Sequence, residues 1–362
     1  MKILIPILGF GQSGGYRVLS KLANELIELG HSVEFLSADG NKSPYFPTRA
    51  SIKWIDEKGL IIETRPAVKQ TAFSIQKRLT KALINLPQNC YDVILANHSL
   101  TTLPVKRAGL IHKTIYYVQA YEPEFYNLSG GIKNRLLAFL SLRSYKMNLF
   151  TIVNAPIYLQ YKKLTASRIL YPGVDFKLFF AKDKESRNER KKPLIIGTIG
   201  RIELYKGTCY ILEAFKQLKT RYTDIQLHIA FGNPADFKNE ENIYCFQPHG
   251  DEALANFYRS LDYYICAGYT QLGAFHYPVV EAMSCGVPVI TTEYYPANTS
   301  NSWLVQPQNV DEIVSQFESS KSNRAITETK VQQALNDVKQ FEWNTVGKCL
   351  NNYIEEFIQL SL

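Results

Sequence analysis

The sequence contains no uninterrupted apolar run near the roughly 18 residues that a membrane-crossing helix needs, so no transmembrane helix is expected. Its first apolar stretch, residues 3–10, is not followed by a small-residue cleavage site and reads as a strand, not a secretory leader. Cysteine is sparse and scattered (Cys90, Cys209, Cys245, Cys266, Cys285, Cys349), with no C-x-x-C. That spacing argues against a zinc or disulfide framework and suits free thiols in a reducing cytoplasm. Zinc-finger spacing, an RNP-like aromatic box and a basic-zipper pattern are all missing, so nucleic acid is not an expected partner. Short-period repeats and low-complexity tracts are missing as well.

What is present is a long alternation of apolar strand-like runs with helical patterns, which points to α/β folding on parallel sheets. Strands are expected near 2–9, 32–37, 92–97, 114–119 and 151–154, then near 194–199, 225–231, 243–246, 263–266 and 287–291. Residues 181–193 (AKDKESRNERKKP) are charged and lack large apolar side chains, as a linker does. The expected division is therefore a first Rossmann-like domain over 1–180, a linker, and a second over 194–345. A last helix within 346–362 is expected to cross back to the first domain. The net charge is +8, and the basic excess lies in the first half while the second half is mildly acidic. Helices expected over 73–85 (Lys77, Arg78, Lys81) and 131–146 (Lys133, Arg135, Arg143, Lys146) carry part of it. A solvated face and a face toward an anionic membrane or acceptor are both open readings.

The stretch Gly9-Phe-Gly11-Gln-Ser-Gly14-Gly15 fits G-x-G-x-x-G between a strand and a helix start, where backbone N–H groups and the helix dipole favour an anion. A dinucleotide site would also need an acid at the far end of the second strand. Glu34 comes too early in that strand and Asp39 too late in spacing. NAD binding thus remains one alternative, resting on this loop alone.

The second half carries stronger signals. Gly200-Arg201-Ile-Glu203-Leu-Tyr-Lys206-Gly207 lies between a strand and a helix. Arg201 can grip phosphate oxygens in a fork and Lys206 adds a point charge. Further on, Phe275-His276-Tyr277-Pro278 opens a helix expected over 279–285, whose first amides would face an anion. Glu281, about one turn inside, could accept two hydrogen bonds from a vicinal diol such as ribose, or simply cap the helix.

In this order the motifs resemble those of the family 4, group 1 glycosyltransferases of GT-B fold, over nearly the whole chain. The segments that carry the resemblance are Gly14-Gly15 leading to Gly30-His31-Ser-Val33, Tyr171-Pro172-Gly173-Val174-Asp175 with Phe180, Gly200-Arg201 with Lys206-Gly207, Pro278-x-x-Glu281-Ala-Met, Asn301-Ser-Trp-Leu-Val-x-Pro307, and Phe341-x-Trp343. The resemblance implies two Rossmann-like domains facing across a cleft. It implies a nucleoside diphosphate sugar as donor, a glycan or lipid-linked acceptor, and retention of configuration by front-face attack. Arg201, Lys206 and Glu281 would act on the donor, with Gly14, Gly15, Gly200, Phe275, His276 and Tyr277 binding it. Gln119 and Glu122 would border the reacting sugar, Glu122 as base or as a surface acid. His98 and Tyr121 would lie on the acceptor side, His98 facing the reaction or bonding the backbone. No aspartates stand two apart, so the metal site of the other main glycosyltransferase fold is not supported, and neither metal nor cofactor is expected.

Two positions depart from the family pattern. Its first donor glutamate falls on Gly273, and where the family often has a histidine near the reacting carbon the chain reads Tyr117-Val-Gln119-Ala-Tyr121-Glu122-Pro-Glu124-Phe-Tyr126. That run, with His276-Tyr-Pro278-x-x-Glu281, resembles bacterial surface-glycan rhamnosyltransferases. It implies a role in cell-surface polysaccharide synthesis, in the cytoplasm or at the inner face of the membrane. The missing glutamate also leaves open a sugar-nucleotide or glycan-binding protein without transfer activity.

Overall fold

A computed structural model describes residues 1–40, 43–66, 72–181, 193–233, 236 and 240–361. The chain divides into two compact units, Met1–Gly173 with Trp343–Leu362, and Val174–Glu342. The expected linker lies almost wholly outside the described residues.

In the first unit, strands β1 (Lys2–Ile7), β2 (Ser32–Ser37), β3 (Ser51–Ile55), β4 (Ile61–Ile62), β5 (Val93–Ala96), β6 (Thr114–Val118), β7 (Phe150–Val153) and β8 (Arg168–Ile169) form one sheet. Its order is β4-β3-β2-β1-β5-β6-β7-β8, parallel except for β3 with β4. β1 is central and its Ile3, Leu4, Ile5 and Ile7 are fully buried, which is why it reads as a continuous apolar run. Pro6 is tolerated there because pairing to β5 covers only Ile3 and Leu4. Beyond them the Asn97 side chain donates to the Pro6 carbonyl at 2.9 Å.

Helix α1 (Gly14–Glu28) buries Val18, Leu19, Leu22, Ala23 and Leu26, the i, i+3, i+4 stripe seen in the sequence. It stops at Gly30, whose φ of +85° lets the His31 N–H turn back to the Leu26 carbonyl at 3.0 Å. Helices α2 (Ala72–Ile84) and α5 (Gly131–Ser144) match the expected segments to within two residues. Five described strands and α-helices of this unit lie outside the expected segments: β3, β4, β8, α3 (Ser99–Arg107) and α4 (Glu122–Ser129).

The second unit contains β9 (Leu194–Ile199), β10 (Ile225–Ala230), β11 (Ile243–Phe246), β12 (Tyr263–Cys266), β13 (Val289–Thr291) and β14 (Trp303–Leu304). Their order is β11-β10-β9-β12-β13-β14, all parallel. Ile196, Phe215, Leu218, Leu227, Ile265 and Phe317 anchor the core on one face of that sheet.

Two limits differ from the sequence reading. Residues 174–180 belong to the second unit, where Phe179 is buried against Tyr258 (ring centroids 6.3 Å apart). The last helix starts earlier, at Trp343, and runs to Ser361 within the first unit. Its Gly347 passes so close to α1 that a Cβ there would sit 2.5 Å from Glu25 Cβ. Asn351 bonds His31 at 2.6 Å, Arg168 forms two hydrogen bonds to the Glu356 carboxylate, and Phe357 packs on Phe150 at 5.6 Å.

Candidate active site

A doubly wound sheet reverses direction where successive crossovers leave on opposite sides. The carboxyl ends of the strands flanking that point form a natural ligand crevice. In the second unit the reversal falls between β9 and β12, and in the first between β1 and β5.

At the β9 end, Gly200 leads into Arg201, a 3-10 turn Leu204–Lys206 and Gly207. A Cβ on Gly200 would lie 2.6 Å from Ile229 Cγ2 and 2.9 Å from Gly232 Cα, so only glycine lets the loops after β9 and β10 touch. Gly207 takes φ +76° and would press a Cβ to 2.0 Å from the Ala267 carbonyl oxygen. The Arg201 N–H donates to Thr208 Oγ1 at 3.1 Å, which fixes the loop to the first residue of helix Thr208–Arg221. The Arg201 guanidinium is exposed and stands over the Phe231 ring at 5.7 Å. Among the described residues, neither Arg201 nor Lys206 is in an ion pair within 4 Å.

Burial lowers the pKa of the Lys206 ammonium; Cys266 and Glu203 oppose this, and the Arg201 cation adds to it. From β12 and the loop after it come Cys266 and His276, with the Cys266 sulfur 3.9 Å from His276 Nδ1. His276 stacks on Tyr294, centroids 4.3 Å apart and planes 19° apart. Burial, then Lys206 and Arg201, push its pKa down to about 3, so the imidazole is neutral at physiological pH. The cluster thus gathers two cations and an imidazole that rejects a third charge.

Helix starts sharpen the pattern. Thr208–Arg221 and Tyr277–Ser284, which flank the reversal point, have no acidic residue in the first turn and no capping side chain. Gly250–Arg259 and Val310–Ser322, which follow the outer strands β11 and β14, carry Asp251 with Glu252 and Asp311 with Glu312. Acids normally stabilise a helix N-terminus, so their absence at the two inner starts leaves positive potential for an external anion.

Not every expected donor is available, however. Pro278 lacks an N–H, and the amides of Val279 and Val280 both turn back to the His276 carbonyl (3.1 and 3.2 Å). The Phe275 ring packs inside the unit, edge-on to Tyr277 and Phe341. Glu281 is 2 % exposed, and Tyr258 Oη donates to its Oε2 at 3.0 Å.

In the first unit, the loops after β1, β5 and β6 converge. Gly14 and Gly15 begin α1, and a Cβ on Gly15 would touch the Gln119 amide at 3.4 Å. His98 caps α3 instead of ending a strand: its Nδ1 accepts from the Leu100 N–H at 3.0 Å. That bond puts the ring proton on Nε2, which stands 3.3 Å from Tyr126 Oη and 3.6 Å from Glu122 Oε2. Glu122 is no free surface acid. Its carboxylate accepts from the Ser99 N–H at 2.9 Å and from the Ser99 hydroxyl. With both oxygens engaged it serves as an anchor between α3 and α4, which weakens its case as a base. Glu34, weighed for a dinucleotide ribose, is buried inside β2, where Tyr91 donates to it and Lys2 pairs with it at 3.4 Å.

Residues 179–336 match the family model for glycosyl transferases group 1. The second unit is a group 1 glycosyltransferase domain, and the chain is a glycosyltransferase. It is 25% identical over 332 residues to an uncharacterized glycosyltransferase of Haemophilus influenzae, covering 86% of this chain and 88% of that one. Its fold is GT-B. The structure is similar to that of sucrose-phosphate synthase from Thermosynechococcus elongatus (TM-score 0.77, 15% identity, 99% of each chain). It is also similar to Anabaena HepE solved with UDP and glucose (TM-score 0.72, 14% identity, 98% and 99% covered).

Sequence reasoning about the glycosyltransferase missed Tyr258, Tyr294 and Cys266. Tyr258 lies on another helix, 23 residues before Glu281, with no motif linking the two. Gly273 takes φ +84°, with its N–H on the Glu293 carbonyl at 2.6 Å. A glutamate in this left-handed conformation would be strained.

Proposed function

We propose that the glycosyltransferase takes its sugar from a nucleoside diphosphate sugar and passes it, with retention and without a metal, to a glycan or lipid-linked acceptor of a surface polysaccharide. The observation that carries this reading is the pair of cations, Arg201 and Lys206, outside any ion pair among the described residues, beside two acid-free helix starts. They would stabilise the charge that grows on the departing diphosphate, while Glu281, held by Tyr258, would take the ribose. HepE's complex with UDP-glucose supports a donor of this class. Retention would follow if the leaving phosphate takes the acceptor's proton on the face it departs from. On this reading His98 and Gln119 belong to the acceptor side in the first unit, and Glu122 fixes His98. Thermal stabilisation by UDP, GDP, dTDP, ADP and NAD tests the donor. One nucleoside diphosphate should raise Tm selectively, and Arg201→Ala should abolish the shift. A shift with NAD alone would overturn the reading. Binding without turnover on any sugar nucleotide would favour the non-catalytic alternative that Gly273 raises.

A peripheral place on an anionic membrane is part of the proposal. No described helix is long and apolar enough to cross a membrane. Yet α5 exposes Ile132 (89 %), Leu136 and Phe139 and contains Lys133, Arg135 and Arg143 but no acid. Basic residues near an anionic surface contribute about 1 kcal/mol each. The chain should co-sediment with phosphatidylglycerol vesicles and not with phosphatidylcholine vesicles, and Ile132→Glu with Phe139→Glu should release it. Equal sedimentation with both lipids, or no effect of the substitutions, would remove the membrane from the proposal.

A further inference from the structure

A cavity of about 670 Å³ opens in the first unit between α4, α5 and the segment Tyr161–Lys163, with Tyr121, Glu124 and Asn127 also among its walls. Its volume falls within the range of small-molecule sites, roughly 300–1,000 Å³. Tyr121 follows closely on β6, so the cavity lies at the carboxyl end of the sheet, where Gln119 after β6 and His98 after β5 also stand.

Its aromatic wall is fixed in advance. Tyr121 is sandwiched between Tyr161 (centroids 3.8 Å, planes 22° apart) and Tyr145 (5.6 Å, 17°), and Tyr145 stacks in turn on Tyr116 at 6.0 Å. Hydrogen bonds lock the stack. Tyr161 Oη donates to Glu124 Oε2 at 2.9 Å, and Tyr145 Oη accepts from the Glu122 N–H at 3.2 Å. Beside the rings, Asn127 and the second carboxylate oxygen of Glu124 offer hydrogen-bonding groups suited to hydroxyls. Lys162 and Lys163 are exposed and, among the described residues, outside any ion pair within 4 Å.

We infer that this cavity holds a sugar ring of the acceptor that bears an anionic group, a carboxylate or a phosphate. Tyr161 stacks in turn on Tyr158, so the rings offer the cavity their edges, and Pro123, Leu128 and Leu142 complete its apolar wall. A pyranose has apolar C–H groups for that wall and a rim of hydroxyls for Glu124 and Asn127. Its charge lies toward Lys162 and Lys163, because the Glu124 carboxylate repels an anion at its own end. This inference rests on the reading of the first unit as the acceptor side.

Saturation-transfer NMR on the full chain tests it, with glucuronic acid, glucose 1-phosphate, glucose and UDP as probes. The two charged sugars should receive saturation, and glucose much less. Lys162→Ala with Lys163→Ala should weaken the charged sugars at least about fivefold, as loss of charge-assisted contacts does, and leave UDP unchanged. Asn127→Trp, which fills the cavity from an exposed position, should abolish the sugar signals and also leave UDP unchanged. No transfer to either charged sugar, or signals that survive both variants, would overturn the inference. Loss of UDP binding with sugar binding intact would instead count against the donor reading. The stronger of the two charged probes names carboxylate or phosphate as the recognised group.

Discussion

Replacing Lys206 or Arg201 with alanine is expected to lower kcat/KM for the sugar nucleotide by about 10²–10³-fold each, the usual loss when one preorganised charge donor to a leaving group is removed. Lys206 carries a further signature. Burial holds its pKa below the ordinary lysine value of 10.5. The charged form binds the diphosphate, so donor affinity is full below that lowered pKa and falls as pH rises through it, on the acid side of 10.5. A bound diphosphate stabilises the ammonium and raises its pKa, and the gap between the free and bound values sets how far the affinity falls. Lys206→Ala should show low affinity with no such alkaline limb. Lys206→Arg should keep part of the affinity and move the limb beyond the measurable range, because a guanidinium does not deprotonate there. UDP titrations across the alkaline range measure this. An unchanged alkaline limb in Lys206→Ala would show that another group binds the phosphate.

Gly207→Ala should be nearly as damaging without removing any polar group. The new methyl would lie 2.0 Å from the Ala267 carbonyl oxygen and 2.9 Å from the Gly268 nitrogen, at φ +76°. The loop that carries Lys206 must then move off the β12 loop. A displacement on the ångström scale costs about 10²-fold in rate when it shifts a catalytic group. Gly250→Ala provides the control. Its φ of +81° imposes similar backbone strain, but a Cβ there meets nothing within 4 Å. It should cost about 1 kcal/mol of stability and no activity. If Gly207→Ala behaves like Gly250→Ala in steady-state kinetics, the contact with Ala267 does not hold the loop.

Much of this site could be read from the chain because its positions are fixed by backbone chemistry that leaves marks in sequence. Gly30, Gly200 and Gly207 punctuate turns, Pro278 sits in the first turn of its helix, and buried parallel strands appear as unbroken apolar runs. The missed helices have identifiable causes. Helix α3 contains Pro104 and paired threonines, which weaken the helical signal, and packing of buried Leu100 and Val105 overrides it. Helix α4 did leave a mark, Pro123 with Glu122 and Glu124 in its first turn, but at 8 residues it is too short for helical periodicity to stand out. The Tyr258–Glu281 bond and the Ser99–Glu122 anchor were illegible in a deeper sense. Each joins side chains on separate elements, and nothing in residue spacing encodes such a meeting.

The return of the last helix to the first unit makes the second unit an insertion within the first. Residues 174–342 intervene before Trp343. At about 5–20 residues per second of synthesis, the first unit waits roughly 10–30 s for the helix that covers α1. During that interval the first unit lacks the side chains of Leu350 and Ile354, both fully buried in the finished fold. The second unit is contiguous and can close as soon as it emerges. The half of the molecule that begins first is therefore the half that finishes last, and its exposed apolar surface in the interim is where chaperone dependence should be sought.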